Sequence, residues 1–183
     1  QVSDLASYEV IERPVVCGDF RALEICSASP PSSGAMQIMV PRLYDYLQKQ
    51  ASSTSKMQDF VDAQRLAYAD RDHFFADPDW VDVPVAALLD QTYLQRRAAA
   101  RFAPDALPEH GDPMGSVALG ADTTEEANGT THLSIVDGEG NAVSFTATVE
   151  SAFGSARLVR GFLLNNELTD FARSYDAQMP MPA

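Results

Sequence analysis

Basic residues, long apolar runs and a recognisable N-terminal leader are all scarce or missing in this 183-residue sequence. Its 13 lysines and arginines stand against 26 aspartates and glutamates, a formal net charge of −13, which argues against nucleic acid as a partner. No apolar run approaches the ~20 residues that a membrane-spanning helix needs, so no membrane span is expected. Without an initiating methionine or a signal-like segment, we expect the sequence to begin inside a longer gene product or after processing.

Cysteine is also scarce, since only Cys17 and Cys26 are present. Their number would allow one disulfide, but a tight turn at Gly18 and Asp19 would place Cys17 beside Phe20, away from Cys26. We therefore predict two free, buried thiols, and their spacing supports no metal site. The three histidines are interpreted as structural and form no ligand set with acidic residues, so no metal or other cofactor is predicted.

What is present is the composition of a soluble globular protein, with 45% hydrophobic and 21% charged residues. Apolar residues recur at helical spacing after Gly34, and a second helix is predicted from Thr54, capped by Thr54 or Ser55, to Phe75. A third is predicted over residues 85–103. The arginines near its end are interpreted as cations that cap the helix, and they are Arg96, Arg97 and Arg101.

Residues 104–129 have a different character. Prolines and glycines interrupt any periodicity, and residues 122–126 are polar and acidic. This composition predicts an exposed, mobile linker that leads directly to Gly129, although a plain surface loop would look the same.

Thr130, which follows Gly129, begins the most informative segment. A threonine hydroxyl is a weak nucleophile unless a neighbouring base removes its proton, and the α-amine of Thr130 becomes such a base if the preceding bond is cut. Glycine before that bond would permit the strained backbone that self-attack needs. Glycine followed by two threonines is, by itself, more often the simple start of a strand. The residues that follow are therefore needed to distinguish a strand start from a cleavage site.

The residues after Thr130 alternate between apolar and polar on both sides of a glycine-rich turn at 137–141, which predicts a β-hairpin. Centring it on Glu139 sorts bulky apolar residues onto one face and polar residues onto the other, and a shift of one residue would mix them. The predicted apolar pairs are Leu133 with Phe145 and Ile135 with Val143. The predicted polar pairs are Thr130 with Thr148, His132 with Thr146, and Ser134 with Ser144.

These segments resemble the γ-glutamyltranspeptidase family of N-terminal-nucleophile hydrolases along nearly the whole chain. The matching stretches are GDFR at 18–21, PPSSG at 30–34, YADR at 68–71, TTH at 130–132, GNA at 140–142, FGS at 153–155 and LLNNE at 163–167. The resemblance implies an α+β fold, the αββα sandwich of these hydrolases, incomplete in this fragment. It also implies that residues 1–129 are the C-terminal part of a large-subunit region and residues 130–183 the N-terminal part of the small, catalytic one.

The resemblance further implies self-cleavage between Gly129 and Thr130, followed by attack of the Thr130 hydroxyl on a γ-glutamyl amide such as glutathione. An amino acid, a peptide or water would then resolve the acyl-enzyme. Thr148 would hydrogen-bond Thr130, while Glu167 and Asp170 would hold the α-ammonium of the substrate. No cofactor is implied, and the family suggests a periplasmic or secreted location.

One position departs from the family pattern, because Glu150 stands where many γ-glutamyl-specific members carry asparagine. An amide can donate to a substrate carboxylate, whereas an ionised glutamate repels one. Either the glutamyl group binds differently, or the protein is an amide acylase of the same family, similar to the cephalosporin acylases.

Family members are also much longer than this chain. Their carboxylate-binding arginine lies before Gln1, and their oxyanion-hole segment lies beyond Ala183. The remaining segments of the full-length enzyme are therefore expected partners. We expect the chain by itself to be uncut and inactive, and a non-catalytic fragment is a third interpretation.

Overall fold

The computed structural model describes residues 3, 6–50, 55–100, 102–103, 105–114 and 129–170. The strands are β1 (Val16–Phe20), β2 (Leu23–Ser27), β3 (Thr130–Val136), β4 (Ala142–Thr148), β5 (Leu158–Val159) and β6 (Phe162–Leu163). The helices are α1 (Gly34–Gln48), α2 (Lys56–Phe74), α3 (Val85–Leu88) and α4 (Gln91–Ala99), followed late in the chain by a 3-10 helix (Glu167–Asp170). Among the described residues the strands pair as three antiparallel sheets, β1 with β2, β3 with β4 and β5 with β6.

The hydrophobic core lies between α1, α2 and α4. Each helix contributes a stripe of buried side chains, which fits the helical spacing of apolar residues in the sequence. The stripe comprises Ala35, Met39 and Leu43 of α1, Ala63, Leu66 and Ala67 of α2, and Tyr93, Leu94 and Ala98 of α4. None of the helices in the described part of the chain has both the length and the apolar character needed to cross a bilayer.

The limits of α2 confirm the predicted second helix. Ser55 is its N-cap, with an extended backbone and a side chain that accepts a hydrogen bond from the Gln58 N–H. Phe75 is the C-cap and leaves the helical conformation. The helix therefore ends before Pro78, whose ring disfavours a helical residue in front of it.

The third predicted helix is wrong as a single element, because residues 85–103 form two helices with a break at Leu89 and Asp90. Asp90 is extended, and its carboxylate accepts a hydrogen bond of 2.8 Å from the Tyr93 N–H. An aspartate in this geometry starts a new helix more favourably than it continues an old one. The new helix, α4, ends at Ala99 because Ala100 is again extended.

The prediction of free, buried thiols is also wrong. Cys17 and Cys26 are directly opposite each other in β1 and β2, form a disulfide with a Cα–Cα distance of 4.1 Å, and are both exposed. The turn that joins the strands lies after Phe20, where Arg21 takes a left-handed conformation, rather than at Gly18. Gly18 serves packing instead, since a Cβ there would lie 2.5 Å from the Ile38 side chain of α1.

A buried ion pair joins α2 to α4. Asp70 is 0% exposed and Arg97 is 6% exposed, and the Arg97 Nε donates to Asp70 Oδ1 at 3.0 Å. The Tyr93 hydroxyl donates to Asp70 Oδ2 at 2.7 Å, and burial together with the negative charge of Asp70 raises the pKa of Tyr93. Arg97 does lie in the last turn of α4, but its guanidinium binds Asp70, so the interpretation as a capping cation is wrong for this residue.

The same carboxylate also holds the beginning of the predicted linker. The Gly111 N–H donates to Asp70 Oδ1 at 2.7 Å, and a Cβ at Gly111 would lie 2.2 Å from the Tyr93 hydroxyl. His110 stacks on His73 of α2 with ring centroids 3.5 Å apart. His110 and Gly111 are therefore tied to the helices, while residues 115–128 of the predicted linker lie outside the described residues.

We predict that Asp70→Ala lowers the free energy of unfolding by about 3–5 kcal/mol, because it leaves the Arg97 charge buried without its partner. Asp62→Ala is the matched control. It removes a carboxylate from the same helix, but its ion pair with Arg65 is partly exposed, with side chains 24% and 19% accessible. The control should cost about 1 kcal/mol or less. Urea unfolding midpoints measure both, and equal shifts would contradict the assignment.

Candidate functional site

The hairpin of β3 and β4 has the register that the sequence predicts. Thr130 pairs with Thr148, His132 with Thr146 and Ser134 with Ser144. Directly opposed residues point to the same side of a sheet, so the two threonine side chains share a face. The prediction that Thr130 lies beside a second hydroxyl is confirmed.

Asp137 fixes this register at the turn. Its Oδ1 accepts hydrogen bonds from the backbone N–H groups of Glu139 and Asn141, both at 2.9 Å, and its Oδ2 accepts from the Asn141 side chain at 2.8 Å. These hydrogen bonds, led by the one from the Asn141 side chain, lower the pKa of Asp137. At pH values above the ordinary pKa of a carboxyl group, the ionised Asp137 therefore stabilises the turn. This stabilisation is lost as the pH falls through the lowered pKa of Asp137.

His132 organises the polar face next to the threonine pair. Its Nδ1 lies 2.7 Å from the Thr146 hydroxyl, and its Nε2 lies 3.1 Å from the Ser134 hydroxyl and 3.4 Å from that of Ser144. This role of His132 was not predicted from the sequence. The available signal was its position two residues after Thr130, which places it on the same face of the strand.

Thr148 is oriented by the backbone that follows it. The Glu150 N–H donates to Thr148 Oγ1 at 2.7 Å, so the threonine oxygen acts as an acceptor there. A hydroxyl group can accept and donate at once. The Thr148 hydrogen therefore remains available on the face that Thr130 shares.

Glu150 occupies a strained, buried position two residues after the end of β4. Its φ is 68°, it is only 5% exposed, and its Oε2 accepts a hydrogen bond of 2.7 Å from the Ser151 hydroxyl. The Asn166 side-chain amide donates to the same oxygen. The carboxylate, predicted from the sequence to contact substrate, thus has two donors inside the protein.

Asn166 connects the end of β4 to the 3-10 helix. Besides binding Glu150, its side chain accepts from the Ser151 N–H at 3.1 Å, and its own N–H donates to the Val149 carbonyl at 3.3 Å. Glu167 comes next and is half-buried. Asp170 ends the 3-10 helix, and its side chain lies outside the described part. This role of Asn166 was not predicted from the sequence, although the residue lies within the matching LLNNE stretch.

Gly129 lies against Glu150 at the proposed cleavage site. A Cβ at Gly129 would lie 1.4 Å from the Glu150 carbonyl oxygen, and the glycine backbone is not in the left-handed region. A glycine is required at this position because the Glu150 main chain leaves no room for a Cβ atom. The expectation of a strained backbone at Gly129 is not met in this conformation.

The face of the hairpin opposite the threonines is apolar and open to solvent. Leu133, Ile135, Val143 and Phe145 are between 40% and 56% exposed. A contiguous row of this kind is normally covered in a complete protein. Within the described residues, this hairpin forms a sheet of its own.

Comparisons with known proteins agree with these observations. Residues 1–182 match the family model described as "Gamma-glutamyltranspeptidase". The chain is 35% identical over 175 residues to the glutathione hydrolase proenzyme of Escherichia coli (strain K12), an alignment that covers 92% of this chain and 29% of that protein. It is 33% identical over 176 residues to the acylase ACY 1 proenzyme of Pseudomonas sp. (strain SE83), with 92% and 30% covered. It thus spans about 30% of the length of these curated relatives.

Two solved structures resemble the fold. The γ-glutamyltranspeptidase of Helicobacter pylori superposes with a TM-score of 0.51 at 32% identity and covers 64% of this chain and 36% of that one. The cephalosporin acylase from Bacillus halodurans superposes with a TM-score of 0.72 at 22% identity and covers 98% and 31%. The predicted α+β fold, an αββα sandwich that is incomplete in this fragment, is confirmed.

Proposed function

This chain belongs to the γ-glutamyltranspeptidase family, and we propose that it carries the nucleophile and the self-cleavage site of a glutathione hydrolase. The observation that supports this most strongly is the pairing of Thr130 with Thr148 on one face of the hairpin. In this proposal residues 1–129 are the end of the large subunit, and residues 130–183 are the beginning of the small one.

The first reaction is cleavage of the chain itself. The Thr130 hydroxyl attacks the Gly129 carbonyl carbon, and the acyl group moves from the Thr130 nitrogen to its oxygen. Water then hydrolyses the ester, which leaves a carboxylate on Gly129 and a free α-amine on Thr130. Because Gly129 packs on the Glu150 main chain, the scissile bond is held at the end of β4, beside Thr148.

The second reaction is acyl transfer. The free α-amine of Thr130 accepts the hydroxyl proton while the oxygen attacks the amide carbonyl of the substrate. The proton passes to the leaving amine, and an acyl-enzyme ester remains. Water or the amine of an amino acid or peptide then takes the acyl group and regenerates the hydroxyl. Thr148 donates a hydrogen bond to Thr130 and keeps its lone pair aimed at the carbonyl.

Substrate selection rests on the acidic residues near this hairpin. In this proposal Glu167 and Asp170 would hold the α-ammonium of a γ-glutamyl group, since charge-assisted hydrogen bonds from an ammonium to carboxylates are strong. Remaining segments of the longer polypeptide supply the oxyanion donors, which usually contribute a large share of the rate. No cofactor takes part in either step.

An amide acylase is the second candidate. It is favoured by the presence of Glu150 and by the 33% identity to the acylase ACY 1 proenzyme. γ-Glutamyl and glutaryl anilides separate the two functions, since the two substrates differ only in the α-ammonium. A full-length protein that prefers the glutaryl anilide would be an acylase, and one that cleaves neither would support the non-catalytic interpretation.

We predict that Thr130→Ala in the full-length protein abolishes chain cleavage and lowers kcat by about 10⁴-fold or more, because the nucleophile is lost. Thr131→Ala is the matched control, since its side chain lies on the other face of β3. Intact-mass measurement and anilide hydrolysis give the two results. Cleavage at this bond in Thr130→Ala would refute the proposed nucleophile.

The same mass measurement applies to the 183-residue chain alone. A single 19.9 kDa species is expected, because the oxyanion donors that would stabilise attack on the Gly129 carbonyl come from the remaining segments of the longer polypeptide. The uncut chain should also be inactive toward the anilides, because an amide nitrogen at Thr130 has no basic lone pair to accept the hydroxyl proton. A fragment that begins at Thr130 would show that the hairpin suffices for cleavage.

We predict that Glu167→Gln lowers kcat/KM for the γ-glutamyl anilide by about 10- to 100-fold, the value of one charge-assisted hydrogen bond. The glutaryl anilide has no α-ammonium, so its kcat/KM should change little in the same variant. Parallel hydrolysis assays measure the ratio. An equal loss on both substrates would mean that Glu167 does not bind the ammonium.

We predict that Glu150→Asn raises kcat/KM for the γ-glutamyl anilide, because it replaces a carboxylate that repels the substrate carboxylate with a donor. Glu150→Gln is the matched control, since it removes the charge but keeps the length that reaches Asn166. A loss in both variants would mean that Glu150 acts through its contacts with Ser151 and Asn166.

A further inference from the structure

The exposed face of the β1–β2 hairpin carries the two sulfurs of the disulfide and two carboxylates. Cys17 is opposite Cys26, and the next pair on the same face is Asp19 opposite Glu24. All four side chains are exposed, while Gly18 on the other face contacts Ile38 of α1. The carboxylate pair thus lies next to the disulfide on the solvent side.

The spacing of the two cysteines in the sequence supports no metal site, but the fold adds a third residue and brings three ligand atoms together. The Sγ atoms of Cys17 and Cys26 and a carboxylate oxygen of Glu24 all lie within 4.8 Å of one another. We propose that reduction of this disulfide converts Cys17, Cys26 and Glu24 into a binding site for a soft divalent cation of the zinc class.

The ligand chemistry selects the cation. Zinc binds thiolate sulfur at about 2.3 Å and carboxylate oxygen at about 2.0–2.2 Å, usually with four ligands in a tetrahedron. Because the three ligand atoms already lie within 4.8 Å of one another, small side-chain rotations after reduction would direct all three toward one cation. A water molecule would be the fourth ligand. Thiolates disfavour the hard cations magnesium and calcium, which prefer oxygen ligands.

The redox step requires a reductant, and a dithiol is suitable. One thiolate of the dithiol attacks a cysteine sulfur and releases the other cysteine as a thiolate, in a step that forms a mixed disulfide. The second thiolate of the dithiol then attacks the reductant's own sulfur in that mixed disulfide and releases the first cysteine, so the reductant leaves as a cyclic disulfide. Two electrons and two protons convert the pair into two cysteine thiols. Cation binding then displaces both protons, because the thiolate is the form that coordinates. The cation would join β1 to β2 after reduction, as the disulfide does before it.

Asp19 provides an internal control for coordination. It is directly opposite Glu24 on the same face and carries the same charge, but it is not part of the group whose ligand atoms converge. A cation attracted only by negative charge would respond equally to loss of either residue. A coordinated cation depends much more on Glu24.

The experiment is a Cd²⁺ titration of the full-length protein after reduction with a phosphine, followed by thiolate-to-cadmium charge-transfer absorption and by competition with Zn²⁺. One Cd²⁺ per chain is expected above the background of the Cys17→Ser, Cys26→Ser double variant, and none in the oxidised protein. Glu24→Gln should weaken binding by about tenfold or more. Asp19→Asn should weaken it by less than about fivefold, the range of an exposed charge interaction.

Two results would overturn the proposal. One is reduced protein that takes up no more Cd²⁺ than the double variant. The other is equal weakening by Glu24→Gln and Asp19→Asn, which would indicate attraction by charge alone. If the double variant fails to fold, reduced wild-type protein with alkylated cysteines provides the same background.

Discussion

The buried carboxylate of Asp70 is the interaction on which the helical part of the structure depends. A charge with no exposure is stable only when hydrogen-bond donors replace the water it has lost. Asp70 receives donors from Arg97 and Tyr93 of α4 and from the Gly111 backbone. One side chain therefore fixes α4 on α2 and anchors the segment that follows α4. This accounts for the aspartate of the YADR stretch through packing rather than chemistry.

The candidate site follows from a different and more local constraint. Strand period and the Asp137 turn determine which residues of β3 and β4 face each other, so the Thr130–Thr148 pair is determined within 19 consecutive residues. The contacts of Glu150 with Asn166 join segments 16 residues apart and require the β5–β6 hairpin between them. The hairpin register could therefore be predicted from sequence, whereas the Asn166 connection could not.

Two of the failed predictions, the turn at Gly18 and the capping role of Arg97, share a cause, which is that one residue type serves two structural purposes. Gly18 suggested a turn, yet it is required by contact with Ile38, and the true turn uses Arg21 in a conformation that arginine rarely adopts. Moving the turn brings Cys17 opposite Cys26. Arg97 fits both a helix dipole and a buried ion pair, and only tertiary packing decides between them. Capping signals such as Ser55 succeeded because the helix itself supplies the partner.

Glu150 has separate backbone and side-chain contacts. Its carbonyl lies against Gly129 and its N–H binds Thr148, so both contacts near Thr130 use main-chain atoms that any residue type provides. Only the carboxylate, bound to Ser151 and Asn166, depends on the side chain. The left-handed φ of 68° is tolerated better by asparagine than by glutamate. Backbone geometry therefore favours asparagine here, and a glutamate changes the charge at this position without altering the main-chain contacts to Gly129 and Thr148.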